Sequence, residues 1–272
     1  MAVLPAVDRT LIMGIVNVTP DSFSDGGEFL DAQAAVSHAL ELVDDGADII
    51  DFGANSTRPG SVAVSESEEL ARLAPVFENL KGKENLFISV DTFYTGAAAF
   101  CLENGAEIIN DVSGAFNTEI AKLCKEKGAC LVVTHNPENA DTETQYPDGV
   151  IADVRKFFIE CVEKAAAIGF PPENLILDPG IGFSKSRNDD IEILRNMQWL
   201  KMRPCPLLCG VSRKRVTAYD GNSPKERDYS TCAANTAAVL GGADIIRVHN
   251  VKAAKGVCAV ADRICGKGNL YG

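Results

Sequence analysis

Asp45-Gly46-Ala47-Asp48 runs into Ile49-Ile50-Asp51, and the same figure returns twice. It recurs as Asn104-Gly105-Ala106-Glu107 before Ile108-Ile109-Asn110, and as Gly241-Gly242-Ala243-Asp244 before Ile245-Ile246-Arg247. A glycine at such a joint supplies the left-handed residue that ends a helix. The Ile-rich run that follows is nearly continuous, as in a parallel strand buried on both faces. The motif therefore reads as helix, Gly-Ala joint, strand, and then a polar residue at the strand's end.

Working outward, the same alternation covers the chain. Strands are predicted at Leu11–Val18, Asp48–Phe52, Leu86–Val90, Glu107–Asn110, Cys130–Thr134, Leu175–Leu177, Leu207–Val211 and Asp244–Val248. Helical periodicity marks Ala32–Val43, Ser67–Leu80, Ile151–Ile168 and Ile191–Leu200. Eight alternations without a linker predict a single α/β domain over residues 1–272, a closed (β/α)8 TIM barrel. An open doubly wound sheet is the alternative, but no Gly-x-Gly-x-x-Gly follows the first strand.

Composition narrows the function. The 272 residues are 46% hydrophobic and 24% charged, an ordinary globular balance, and the formal charge is −12. Nucleic-acid binding wants a basic face, and none is visible. The nine cysteines are odd in number, irregularly spaced and set mostly in apolar runs, so they read as reduced core thiols. The start Met1–Pro5 carries neither a basic n-region nor a long apolar run, so a membrane span is not expected and a cytoplasmic location is.

In a barrel the chemistry sits at the C-terminal ends of the strands. Here those ends are polar: Asn17, Asp51, Asp91, Asn110-Asp111, His135, Asp178, Ser212-Arg213-Lys214, and Arg247 with His249. Taken singly, an Asn or Asp after a strand is often a turn or cap former. As a set they offer carboxylates and a carboxamide for a heterocycle edge rich in N–H donors. Arg58, Lys214, Arg247 and His249 add cations for an anion such as a phosphate. Two long loops, Asn17–Gly27 and Asn55–Ser61, are expected to be mobile lids, because they are rich in Gly, Pro, Ser and Asp yet carry Phe23 and Arg58.

Seven motifs then resemble the dihydropteroate synthases in order: NVTPDSFSDGG (17–27), DFGANSTRPG (51–60), ISVDT (88–92), INDV (109–112), LDPGIGF (177–183), SRK (212–214) and RVH (247–249). The resemblance implies condensation of a (7,8-dihydropterin-6-yl)methyl diphosphate with 4-aminobenzoate, giving 7,8-dihydropteroate and pyrophosphate. By position it implies that Asp91, Asn110, Asp178 and Lys214 hold the pterin, and that Asn17, Arg58, Arg247 and His249 hold the diphosphate. Phe23, Thr57, Pro59, Lys214 and Arg215 would enclose 4-aminobenzoate. Asn17 and Asp25 would bind Mg²⁺, while Lys214, Arg58 and Asp91 act at the reacting centre. It also implies a homodimer and competition by sulfonamides. Arg215 is expected at the start of the helix after the seventh strand, where the dipole favours an anion.

The chain departs from the family pattern at Ala54 and Asn55, where Gly and Glu are usual, and at Thr134-His135-Asn136, where a Met-His-Met-like run is usual. These changes leave open a silent pterin-binding paralogue. A methyltetrahydrofolate–corrinoid methyltransferase shares the pterin edge but needs no diphosphate site. A Schiff-base aldolase using Lys214, its pKa lowered by Arg213 and Arg215, would leave the specific loops unexplained.

Overall fold

The structure is a computed structural model and describes residues 4–5, 8–18, 28–55, 64–83, 86–137 and 146–267. Eight parallel strands alternate with helices: β1 (Leu11–Asn17), β2 (Ile49–Gly53), β3 (Ile88–Asp91), β4 (Ile108–Asp111), β5 (Cys130–Thr134), β6 (Leu175–Asp178), β7 (Leu208–Cys209) and β8 (Ile245–Val248). The helices are α1 (Glu28–Asp45), α2 (Glu66–Leu80), α3 (Thr95–Glu103), α4 (Thr118–Lys127), α5 (Val150–Ala167), α6 (Arg187–Arg195), α7 (Asp228–Leu240) and α8 (Val251–Ile264). The hydrogen-bonded order β6-β5-β4-β3-β2-β1-β8-β7 is closed by a bridge between Leu177 and Leu207. This is the expected (β/α)8 barrel.

The Gly-Ala joints do what the sequence requires of them. Gly46, Gly105 and Gly242 take φ of 107°, 104° and 98°, a region costly for any residue with a Cβ. Other helix ends are set by side chains. Asn117 accepts from the backbone of Glu119 and Ile120 to start α4, and Ser186 with Asp189 forms a capping box on α6. That cap starts α6 four residues earlier than the apolar period at Ile191 suggests, and the expected end at Leu200 is a separate 3-10 turn over Met197–Trp199.

The seventh strand is shorter than expected. Leu207 meets β6 only through its bridge to Leu177, and beyond Cys209 the chain turns, with the Val211 carbonyl accepting from Lys214 N–H at 3.1 Å. Two packed layers result. Leu11, Met13, Ile49, Ile108, Cys130, Val132, Ile176, Leu208 and Ile245 fill the lower barrel, while the larger cluster lies between strands and helices. All nine cysteines are free thiols, and seven are buried.

The barrel's lower rim is tied by Asp262 of α8, which accepts from Thr10 N at 2.9 Å and from Thr10 Oγ at 2.6 Å, both buried. Asp262→Ala strands two buried donors, each costing about 1–3 kcal/mol. Urea unfolding is expected to show a loss of about 3 kcal/mol, with the opposite end of the barrel unaltered.

Candidate active site

Strand alternation decides which polar residues share the interior. Asn17, Asp51, Asn110, Thr134, Asp178 and Arg247 are each in phase with the interior apolar residues of their own strands. Ser89 and Asp91 join them, registered against Asp51 and Gly53. The crown of polar groups therefore stands directly on the apolar layer, at the strands' C-terminal ends.

Its centre is Asp51, fully buried. One carboxylate oxygen accepts from Ser89 Oγ at 2.6 Å; the other accepts from Arg247 Nε at 2.6 Å and from Asn110 Nδ2 at 3.2 Å. Arg247 also reaches Asp91 Oδ2 with Nη2, at 3.0 Å. One guanidinium is thus shared by two carboxylates on neighbouring strands. Asn110, with its amide pinned, leaves a buried Oδ1 that has no partner among the described residues. Burial pushes the Asp91 carboxyl up to about 7; Arg247 opposes this and Asp51 adds to it.

The opposite wall is built by β6 and the loops after β6 and β7. Asp178 is buried, and its Oδ1 accepts from Gly180 N–H at 2.7 Å. Burial raises its carboxyl, and the Lys214 charge is the largest influence pulling it back. Lys214 extends over the Phe183 ring, 4.5 Å from its centroid, and donates to the Ile181 carbonyl at 2.6 Å. Beside Arg247, Ser212 Oγ and His249 Nδ1 stand 2.9 Å apart.

The structure thus brings Asp91, Asn110, Asp178, Lys214 and Arg247 together, with Asn17 and His249 at the rim. Phe23, Asp25, Thr57, Arg58 and Pro59 lie outside the described residues, as do most of the two long loops.

Four expectations are corrected. His135 does not join the interior: out of phase with Val132 and Thr134, its Nε2 lies 2.9 Å from Asp153 Oδ2 on α5, and its ring packs on Phe157. Burial, followed by Lys185, lowers its pKa to about 4. Asp111 is likewise out of phase and caps a turn by accepting from Ser113 N at 2.9 Å. Arg215 starts only a 3-10 turn, Arg215–Thr217, and α7 begins at Asp228, so no long helix dipole stands behind it. Arg213 is held by Asp228 at 2.8 Å, away from Lys214; burial is the main cause of the lowered Lys214 pKa.

Some residues had little or no signal in the sequence. Asp51 was visible only as a polar strand end, without a role. Thr134 stands in register with Asp178, in phase with the interior, and its buried hydroxyl has no partner among the described residues. Asn136 is used structurally: it donates to the Val112 carbonyl at 3.2 Å and accepts from Ser184 Oγ at 2.9 Å. Lys185, buried among backbone carbonyls, looks like a surface lysine in the sequence.

Fold and site together define a (β/α)8 barrel whose mouth sets buried carboxylates and a carboxamide beside a lysine and an arginine. The chain matches the family described as pterin binding enzyme over residues 13–249. It is 44% identical to a dihydropteroate synthase of Synechocystis, across 94% of this chain and 90% of that protein. A Clostridium difficile dihydropteroate synthase solved in the presence of pteroic acid superposes with a TM-score of 0.88 at 39% identity, covering 94% of this chain and 97% of the other. A Xanthomonas albilineans dihydropteroate synthase solved with 4-aminobenzoic acid gives 0.88 at 38%, covering 96% and 95%. The chain belongs to the pterin-binding enzymes and, within them, to the dihydropteroate synthases, transferases of folate biosynthesis.

The raised Asp91 pKa sets a pH dependence. An acid whose folded pKa lies above its unfolded value, here about 7 against an ordinary 3.8, favours the protonated folded state. Its contribution to stability therefore declines as pH rises through that window and is level above it. Accepting ring N–H bonds requires the carboxylate, so affinity for a phosphate-free pterin is expected to rise with pH towards 7. In Asp51→Asn, which removes the neighbouring negative charge, calorimetry is expected to place the midpoint at lower pH. An unmoved midpoint would take Asp91 out of that titration.

Proposed function

We propose that the crown catalyses the family's condensation by holding the pterin on one wall and drawing off its diphosphate at the other. The observation that carries this is one mouth whose two walls each set acceptors beside a cation, Asp91 and Asn110 with Arg247 on one side and Asp178 with Lys214 on the other. Carboxylates and a carboxamide oxygen match the pterin's amino and N–H donors, and charge-assisted bonds of this kind contribute about 1.5–3 kcal/mol each. Arg247 and His249, with Asn17 at the rim and Arg58 from the second loop, favour negative charge on the leaving group more as the bond breaks. The methylene C–O bond cleaves, its electron pair leaves with pyrophosphate, and the arylamine nitrogen forms the C–N bond before releasing a proton to solvent. Arg215 and Lys214 serve the 4-aminobenzoate end, together with Phe23, Thr57 and Pro59. Sulfonamides compete for that pocket.

Mg²⁺ suits the donors proposed for it, since a carboxamide oxygen from Asn17 and a carboxylate from Asp25 are the hard oxygen ligands it takes. When bound it offsets charge on the departing pyrophosphate. Among the described residues no other cluster of His, Cys, Asp or Glu forms a metal site, and no helix is long and apolar enough to cross a membrane. The nine free thiols support the cytoplasm, a reducing compartment, as the location.

A homodimer is supported by one apolar patch. Trp199, Leu240, Val260 and Ile264 are 61%, 47%, 59% and 66% exposed, on the 3-10 turn after α6, at the end of α7 and on the C-terminal part of α8. Contacts join the patch: the Cys265 thiol reaches the Val239 carbonyl, and Met197 abuts Gly241. An exposed cluster of this kind marks an association surface.

Supplied with the dihydropterin diphosphate, Mg²⁺ and 4-aminobenzoate, the protein is expected to form 7,8-dihydropteroate. Asp178→Asn should fold, by circular dichroism, and lose at least about tenfold in pterin affinity, equivalent to 1.4 kcal/mol. A protein that binds pterin without turnover would be the silent paralogue. In sedimentation, Ile264→Glu is expected to shift a dimer to monomer; an unchanged mass would place the interface elsewhere.

A further inference from the structure

Lys185 is 1% exposed, yet among the described residues its ammonium makes no salt bridge. It donates instead to three backbone carbonyls: His135 at 2.9 Å, Gly180 at 2.9 Å and Phe183 at 3.0 Å. All three donors of the amine are therefore used. The first carbonyl follows β5; the other two belong to the loop after β6. That loop lies so close to β5 that a Cβ on Gly180, at φ 67°, would sit 2.0 Å from the His135 carbonyl oxygen. Gly180 is also the residue whose N–H orients the Asp178 carboxylate.

The rest of the loop is held just as tightly. Ser184 takes φ 45°, a strained value for a residue with a side chain, which persists only where surroundings over-determine it. Its carbonyl accepts from Tyr146 Oη at 3.0 Å, its hydroxyl donates to Asn136, and Arg215 donates to the Lys185 carbonyl. Such fixing exceeds what a surface connection between strand and helix needs. The chemistry just above it, where Asp178 meets the pterin edge, demands a carboxylate fixed to within about 0.5 Å.

We propose that Lys185 is a positioning residue for pterin recognition, acting through Asp178: its ammonium staples the loop after β6 onto the end of β5 and so aims the Asp178 carboxylate. Electrostatics agree with this placement. Burial lowers the Lys185 pKa to about 7; Asp190, Asp178 and Asp153 raise it and Lys214 opposes them. The ammonium in turn helps draw the Asp178 carboxyl down, after Lys214 and the Gly180 N–H. Lys185→Met would take the ammonium from the buried His135 and Phe183 carbonyls, leave the Gly180 carbonyl only the Phe183 N–H at 3.0 Å, and free the loop to shift.

The proposal rests on the assignment of Asp178 to the pterin edge, and a double-mutant cycle separates the two. Calorimetry with 6-hydroxymethylpterin is run on wild type, Lys185→Met, Asp178→Asn and the double variant. Lys185→Met is expected to weaken pterin at least about tenfold in the wild-type background but less than about threefold on Asp178→Asn. The KM for 4-aminobenzoate should move less than about threefold. Should Lys185→Met not fold, Lys185→Gln, which keeps a donor and drops the charge, takes its place in the same cycle. Equal losses in both backgrounds, or unaltered pterin affinity in the Lys185 variant, would overturn the Lys185 role while leaving Asp178 in place. Unaltered affinity in Asp178→Asn would overturn both.

Discussion

Closure of the sheet forces every second residue of each strand into one shared interior, and everything at the mouth follows from that constraint. On β2 the same phase that buries Ile49 buries Asp51; on β8 it carries Ile245 and then Arg247. The lower layer is apolar and packs like any core. The upper layer is polar and has only itself, and an eventual ligand, to satisfy its groups.

That upper layer is stable because its charges are paired before any ligand arrives. A guanidinium in low-dielectric surroundings is costly unless carboxylates stand against it, and Arg247 has two. Asp51 is saturated by Ser89, Asn110 and Arg247, so it serves as the fixed counter-charge of the site. Asp91 shares the same arginine, and burial raises its carboxyl while Arg247 holds it down. Asn110 Oδ1 and the Thr134 hydroxyl have no partner among the described residues and stand open to a ligand. The second wall follows a different rule: Asp178 is oriented by backbone, and the backbone is held by a lysine that sees only carbonyls.

Two strand ends show how adjacent residues in the sequence part company in the fold. Asn110 and Asp111 are neighbours, and so are Thr134 and His135. In each pair the first turns inward and the second turns towards the helices. As a string of letters, His135 is the most chemically suggestive of the four, yet its imidazole ends against Asp153 and Phe157 with its basicity lowered by burial. The motif at the fifth strand therefore changes the pocket at Thr134, while Asn136 fastens loops.

The alternating runs, the Gly-Ala joints and the polar strand ends were legible in the sequence because they depend on local rules: the period of two, the period of 3.6, and the need for positive φ at Gly46, Gly105 and Gly242. Those rules set the barrel, and they put Asp91, Asn110, Asp178, Lys214 and Arg247 at the strands' C-terminal ends. Which oxygen faces which donor was decided only by tertiary structure. Asp51 meets Arg247 across 196 positions of chain, and Lys185 meets the His135 carbonyl across 50. The energies of those meetings come from burial and exact distance between strands that the sequence keeps far apart, so no local pattern records them.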